Sequence, residues 1–250
     1  MHTFFIRLAE IDIKITCNHE ETKLFCKDYL IDEQKEPSVC VLVAPGDLQL
    51  ERQKTDEEYG SAAGQFSDAY LETLAVYRQI AAQMPAYGIL LFHGSVIAVD
   101  GEGFLFTAPS GTGKSTHTRL WRKLFGERAF MVNDDKPLLK VCEDGSIIAY
   151  GTPWDGKHRL SRNTGVPLKG ICILAQGKEN RICKQSQAEA FPTILQQTYR
   201  PVNQPDVMKQ TLDILNQIMD VGIWKLECTI SEEADRLSYE TMTGKEILLD

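Results

Sequence analysis

The chain has 250 residues, 43% hydrophobic and 25% charged, the make-up of a globular protein rather than a disordered or fibrous one. Its 27 basic residues against 35 acidic ones leave a net charge of −8, which opposes general binding to nucleic acid or to an anionic membrane surface. Seven scattered cysteines without a Cys-x-x-Cys pair argue against a disulfide framework or a zinc site and for a reducing compartment. The opening residues lack a basic region followed by a long apolar run. The longest apolar stretch, around Met84 to Phe92, is far short of the roughly 20 residues that span a bilayer. A cytoplasmic location is expected.

Residues 3–17 alternate strictly in their second half, with Ala9, Ile11, Ile13 and Ile15 on one face, and predict a half-buried strand. A second strand is expected over Ser38–Ala44, stopped by Pro45 and Gly46. Between Asp47 and Asp68 the composition turns polar, with Gly60 and Gly64 as punctuation, and predicts a loop. Leu71, Leu74, Tyr77 and Ile80 recur at helical spacing and predict a helix over Asp68–Met84. Residues 1–87 form an expected N-terminal α+β segment, accessory or acceptor-binding, and 88–250 the expected catalytic domain.

From Gly88 the texture becomes that of buried strands. Ile89–Val99 and the turn at Asp100–Gly103 predict a hairpin, and Gly103–Ala108 a short apolar strand. That strand runs into Pro109, Ser110, Gly111, Thr112, Gly113, Lys114, Ser115 and Thr116, after which His117–Phe125 has a helical pattern. A strand, a glycine-rich turn and a helix are the setting a P-loop requires. Gly111 and Gly113 allow a tight turn that aims backbone N–H groups at phosphate oxygens, and the helix N-terminus adds a positive dipole. Lys114 reaches the outer phosphates and the Ser115 hydroxyl can ligate Mg²⁺. Ala108 replaces the first glycine of the motif.

A second apolar strand, Ala129–Val132, ends in Asn133, Asp134 and Asp135. After a P-loop, an acid at the end of a neighbouring strand holds Mg²⁺. An adjacent pair can divide the labour, one carboxylate on the metal and one accepting a proton. Lys157, Arg159 and Arg162 follow the loop Gly151–Gly156 as a basic cluster in an acidic chain, able to steady phosphoryl charge. Trp154 suits either a ligand or the core. His117 reads as a surface residue of its helix. An apolar strand at Gly170–Ala175, amphipathic helices near Ala188–Leu195 and Val207–Met219, a strand at Gly222–Cys228 and a final helix complete the chain.

The run from His93 through Thr116 and the later Val132–Asp135 resemble the catalytic domain of HPr kinase/phosphorylase, in the phosphoenolpyruvate carboxykinase superfamily. Thr116 stands where HPr kinase carries a glutamate, as in the carboxykinase pattern, and the long N-terminal domain is not recognisable. With Gly151–Lys157, the chain is similar to the short HPr-kinase-like proteins of bacterial gene clusters rather than to HPr kinase itself. The resemblance implies a mixed β-sheet P-loop core and ATP- and Mg²⁺-dependent phosphoryl transfer to a hydroxyl. Serine of a protein or peptide is the expected acceptor, with a small-molecule hydroxyl also open. It implies Asp134, His93 and Lys157 as catalytic residues, to which the basic cluster adds Arg162, with Pro109–Thr116 as the nucleotide loop and Ser115 and Asp135 at the metal. A nucleotide-binding regulatory module and a simple NTPase are the alternatives.

Overall fold

The computed structural model describes residues 1–34, 36–60, 66–201 and 204–247. Its contacts divide the chain into two units, Met1–Met84 and Pro85–Asp250.

The first unit comprises β1 (His2–Leu8), β2 (Ile11–Cys17), α1 (Glu20–Phe25), β3 (Leu30–Ile31), β4 (Val39–Leu42), α2 (Pro45–Tyr59) and α3 (Asp68–Gln83). Its sheet runs β3-β1-β2-β4, with β2 and β4 parallel. The single strand expected over 3–17 is thus a hairpin. It reverses at Ala9 (φ 47°) and Glu10 (φ 68°), left-handed backbone that hairpin turns need but that carries no Asn-Gly signature here. Ile13, Ile15 and Cys17 of β2 are buried in alternation, whereas β1 buries Phe4, Phe5 and Ile6 in succession.

The loop expected between Asp47 and Asp68 is corrected more sharply, because α2 occupies most of it; Gly64 lies outside the described residues. Pro45 at the first helical position and the Asp47 carboxylate, which accepts from Ala44 N at 2.9 Å, start the helix. Polar contacts then hold it: Arg78 of α3 pairs with Asp47 at 2.8 Å and also with Glu51. A helix held by ions has no apolar stripe to read. Two further α3 side chains, Gln79 and Gln83, donate at 3.1 Å to the carbonyls of Leu42 and Cys40 on the edge strand β4. Glu72, fully buried on α3, accepts from Asn18 N, His19 N and Thr22 Oγ1. Burial opposes its charge, but these donors outweigh it and hold its pKa below the usual range.

The second unit contains β5 (Ile89–Leu91), β6 (Ser95–Val99), β7 (Glu102–Thr107), α4 (Lys114–Phe125), β8 (Ala129–Asn133), β9 (Leu138–Val141) and β10 (Ile147–Tyr150). It continues through β11 (Gly165–Gln176), β12 (Arg181–Lys184), α5 (Gln187–Gln197), α6 (Pro205–Ile218), β13 (Gly222–Cys228) and α7 (Glu232–Thr243). Among the described residues its nine strands form one mixed sheet, in which β11 runs parallel to both β7 and β13 while the other pairings are antiparallel. The unit is therefore mixed α/β.

Alternate residues of β7 point to opposite faces, and so define two cores. Leu105 joins Val132, Ile171, Ile194 and Leu215 under α5 and α6. Phe104 and Phe106 join Trp121, Phe125, Leu174 and Tyr239 under α4 and α7. Helices thus cover both faces, which is why β7 and β11 read as continuous apolar runs. Among the described residues, no helix is long and apolar enough to cross a membrane.

His117, expected at the surface of its helix, is instead buried between α4 and α7. Its Nδ1 lies 3.1 Å from Asp235 Oδ1 and its Nε2 lies 3.3 Å from Ser238 Oγ. Ser238 spends its only proton on the Asp235 carbonyl, at 2.8 Å, and accepts from Trp121 Nε1 at 3.1 Å. Its hydroxyl therefore cannot donate to His117, so Nε2 must be the donor. Nδ1 is then either a bare lone pair beside a protonated Asp235 or the second N–H of an imidazolium, and the Asp235 oxygens are buried without a hydrogen bond. Either way, the pair holds one proton.

Burial, with Glu232 nearby, raises the Asp235 pKa to about 8, and burial lowers that of His117 to about 3. An unfolded chain at its ordinary pKa values carries one proton on this pair between about pH 4 and 6.5 and none well above that. The raised aspartate therefore contributes stability that is lost as pH climbs from about 6.5 to 8, at about 1.4 kcal/mol per unit. The lowered histidine contributes stability that is lost as pH falls from about 4 to 3. Urea midpoints should sag on both sides of that plateau, and Asp235→Asn should flatten the alkaline side. An equally steep alkaline loss in the variant would remove the pair from the account.

Candidate active site

The glycine loop spans the gap between the end of β7 and the start of α4. Gly111 (φ 79°) and Gly113 (φ 119°) both take left-handed backbone, which a side chain would strain. The first turn of α4 carries no acidic residue, while Arg122 and Lys123 stand in its last turn, so nothing cancels the positive dipole at the loop. Pro109, Ser110 and Gly111 are exposed, whereas Lys114 is buried. Its Nζ folds back to donate to Ala108 O at 2.8 Å. Burial lowers its pKa, and Asp135 and Asp134 oppose the shift.

The acidic turn is built by Asn133, the fully buried last residue of β8. Its Oδ1 accepts from Asp135 N at 2.9 Å and Lys136 N at 2.7 Å, closing the turn. Its amide nitrogen donates to Thr152 O at 3.2 Å and Trp154 O at 3.3 Å, so one side chain fastens the acidic turn to the following loop. Trp154 itself is buried. Asp134 is buried and accepts from Ser95 Oγ at 2.6 Å, and Ser95 lies 3.2 Å from Thr118 Oγ1 on α4. The other Asp134 oxygen abuts Gly156, where an added Cβ would sit 2.8 Å away. Asp135 pairs with Lys136, and its Oδ1 lies 3.5 Å from His93 Nε2.

His93 is fixed by residues distant in sequence. Its Nδ1 lies 2.6 Å from Gln197 Oε1, and its backbone N–H donates to Gln197 O at 2.8 Å. Burial, then the charge of Lys114, lowers its pKa, so the ring favours its neutral form. The structure thus brings His93, Lys114, Asp134 and Asp135 together. Lys157 is exposed on its loop, and the Arg162 guanidinium lies 4.5 Å over the Phe130 ring.

Two of the cavities that border α4 reach its first turn. One, of about 340 Å³, includes Thr112, Gly113, Thr116, Leu120, Leu174 and Ile230 in its lining and is mainly apolar. The other, of about 280 Å³, is bordered by Ser115, Arg119, Arg122, Asp134 and His158. Neither Lys157 nor Arg162 borders it. Arg119 and Arg122 fall four and seven positions after Ser115, on the same helical face, a spacing legible in the sequence but not singled out there. Ser95, lying within the His93–Thr116 run, likewise went unassigned.

A search of curated protein sequences finds no match. Among solved structures, the Hpr(Ser) kinase/phosphatase from Coxiella burnetii is similar at 14% identity and a TM-score of 0.29, over 51% of this chain and 90% of that one. The family model of the SynChlorMet cassette protein ScmC matches residues 67–221. That match takes in α3, the glycine loop and the acidic turn, more than half of the sequence, and the chain accordingly belongs to the SynChlorMet cassette protein ScmC family.

Proposed function

We propose that the chain is an ATP- and Mg²⁺-dependent kinase that transfers the γ-phosphoryl group to a hydroxyl, with serine of a protein or peptide as acceptor. The observation that carries this reading is the convergence of Ser115, from the glycine loop, and Asp134, from the end of β8, on one cavity. A loop cradle alone would suit a binding module. A buried carboxylate facing the same space supplies the base a hydroxyl acceptor needs.

In this reading the backbone of Pro109–Gly113 and the N-terminus of α4 hold the phosphates, and Lys114 turns its ammonium from Ala108 O towards them. The apolar cavity beside Thr112 and Gly113 takes the nucleoside. Asp134 accepts the acceptor's proton as its oxygen bonds to the γ-phosphorus. The bond from that phosphorus to the β–γ bridging oxygen breaks, and ADP leaves with the electron pair. His93 donates its Nδ1–H to Gln197 Oε1, which leaves Nε2 of the neutral ring as a proton acceptor facing Asp135. Lys157, exposed and outside the cavity that joins Ser115 to Asp134, is given no step. Arg162, stacked on Phe130, is given no step.

The Ser115 hydroxyl and the paired carboxylates are hard oxygen donors that suit Mg²⁺, and they are too few to enclose it, so substrate phosphates would complete its shell. Ser115 and Asp135 would hold the ion. When bound, Mg²⁺ neutralises charge on the β- and γ-phosphoryl oxygens.

Lys114→Ala tests the cradle. Loss of a charge-assisted contact worth roughly 1.5–3 kcal/mol should weaken ATP binding about 10- to 100-fold, measured by calorimetric titration, in a variant that still folds. Wild-type affinity in the folded variant would defeat the assignment.

A further inference from the structure

The cavity that joins Ser115 to Asp134 is more cationic than transfer to a simple alcohol requires. Arg119 and Arg122 of α4 border it with His158 from the opposite loop, in a chain whose net charge is −8. Neither arginine has a carboxylate partner among the described residues, although acidic side chains outnumber basic ones. The Arg122 Nε atom is buried without a hydrogen bond. Buried donors are ordinarily satisfied, so this guanidinium lacks the acceptor that would ordinarily hold it in place. The helix dipole accounts for a cation at Arg122 in the last turn, but not for Arg119 or for the unmet Nε.

The two arginines also lie in a definite place relative to the chemistry. At about 1.5 Å of rise per residue, Arg119 stands roughly 6 Å and Arg122 roughly 10 Å along the helix from Ser115. The offset leaves room in the same cavity for an oxyanion beyond the transferring phosphoryl group held at Ser115. It matches two to three residues of extended peptide at about 3.3 Å each. Guanidinium groups bind carboxylate and phosphate with paired N–H donors, so such a pair reads a planar or tetrahedral oxyanion rather than mere charge.

We infer that Arg119 and Arg122 bind a second oxyanion, carboxylate or phosphate, borne by the peptide acceptor two or three residues from its phosphorylated serine. The inference rests on the kinase reading for the identity of the hydroxyl, and it names the substrate class: acidic peptides. Asp134 stays directed at the hydroxyl because Ser95 fixes one of its oxygens and Gly156 backs the other.

The test uses end-blocked, fluorescein-labelled heptapeptides with a central serine in an alanine background. Further versions carry aspartate or phosphoserine two or three positions away. Anisotropy without nucleotide should show the acidic peptides binding at least ten-fold tighter than the alanine peptide. The Arg119→Ala/Arg122→Ala double variant should lose that difference while its nucleotide affinity is kept. With ATP and Mg²⁺, the double variant should raise KM for acidic peptides far more than it lowers kcat. Whether aspartate or phosphoserine binds better identifies the oxyanion. Equal binding of acidic and alanine peptides, or no binding of any, would overturn the inference. So would an equal fall in kcat on all peptides, which would assign the arginines to the transferred phosphoryl. Arginine-dependent binding without transfer of labelled phosphate would instead sink the kinase reading and leave the oxyanion site standing.

Discussion

Asp134→Asn should lower single-turnover transfer of labelled phosphate from ATP by about 10²–10⁴-fold, the usual cost of removing a general base. The substitution is nearly isosteric. Asparagine keeps an oxygen to accept from Ser95 Oγ, so the 2.6 Å contact that orients this side chain can survive. What goes is the basicity, and with it roughly 3–5 kcal/mol of barrier reduction. ATP affinity should fall much less than turnover, because the glycine loop and Lys114 are untouched. Asp135→Asn should behave differently: that carboxylate is paired with Lys136 and faces His93, and its loss should shift the Mg²⁺ dependence of the rate. Titrating both variants against Mg²⁺ separates the two roles. Unchanged transfer in both would remove the acidic pair from the catalytic machinery, whereas no transfer even in the wild type would return the protein to the class of nucleotide-binding modules.

Gly151→Ala is expected to cost about 3–5 kcal/mol of stability or to prevent folding, the upper end of what overpacking does. A Cβ at this position would lie 1.9 Å from the Arg162 carbonyl and 2.6 Å from that of Val132. Both atoms are backbone, so no rotamer change relieves the clash. Nor can the segments simply separate, since Gly151 N donates to Thr164 O at 3.0 Å and Arg162 N to Val132 O at 3.2 Å. Val132 precedes Asn133, which shapes the acidic turn, so a variant that folded at all should also misplace Asp134. Gly46→Ala is the control: nothing lies within 4 Å of its added Cβ, and the substitution falls within a helix, where alanine gains up to about 1 kcal/mol. Urea midpoints of the two variants check the contrast, and a Gly151→Ala midpoint within error of wild type would refute it.

The parts of the candidate site that were legible in the sequence are those whose chemistry is local. Gly111, Gly113, Lys114 and Ser115 announce themselves because tight turning, charge and hydroxyl must follow one another within a single turn. The strand before them is readable because a strand buried on both faces is apolar at every position, as Phe104, Leu105 and Phe106 are. Asp134 and Asp135 are visible as acids closing another such strand. Partners separated along the chain are not visible. Gln197 meets His93 only because the end of α5 lies beside the residues after β5, and no pattern near either residue says so. His117 looks like a surface residue because its neighbours on α4 are polar, and only the packing of α7 converts it into half of a buried pair. The helix α2 was missed for a related reason, since Arg78 and its carboxylates replace the apolar stripe on which helix periodicity depends.

The amide contacts along β4 bear on self-association. An edge strand offers unpaired carbonyls and N–H groups, and a neighbouring chain can extend the sheet by docking onto them. Here the carbonyls of Cys40 and Leu42 are already engaged by Gln83 and Gln79. An incoming strand would have to strip away two amide donors before forming its own ladder. At the opposite margin, β3 spans only Leu30–Ile31, too short to template an addition. Among the described residues, the N-terminal sheet therefore offers an incoming strand fewer free carbonyls at β4 and little length at β3, even though Leu42 presents an apolar side chain to solvent.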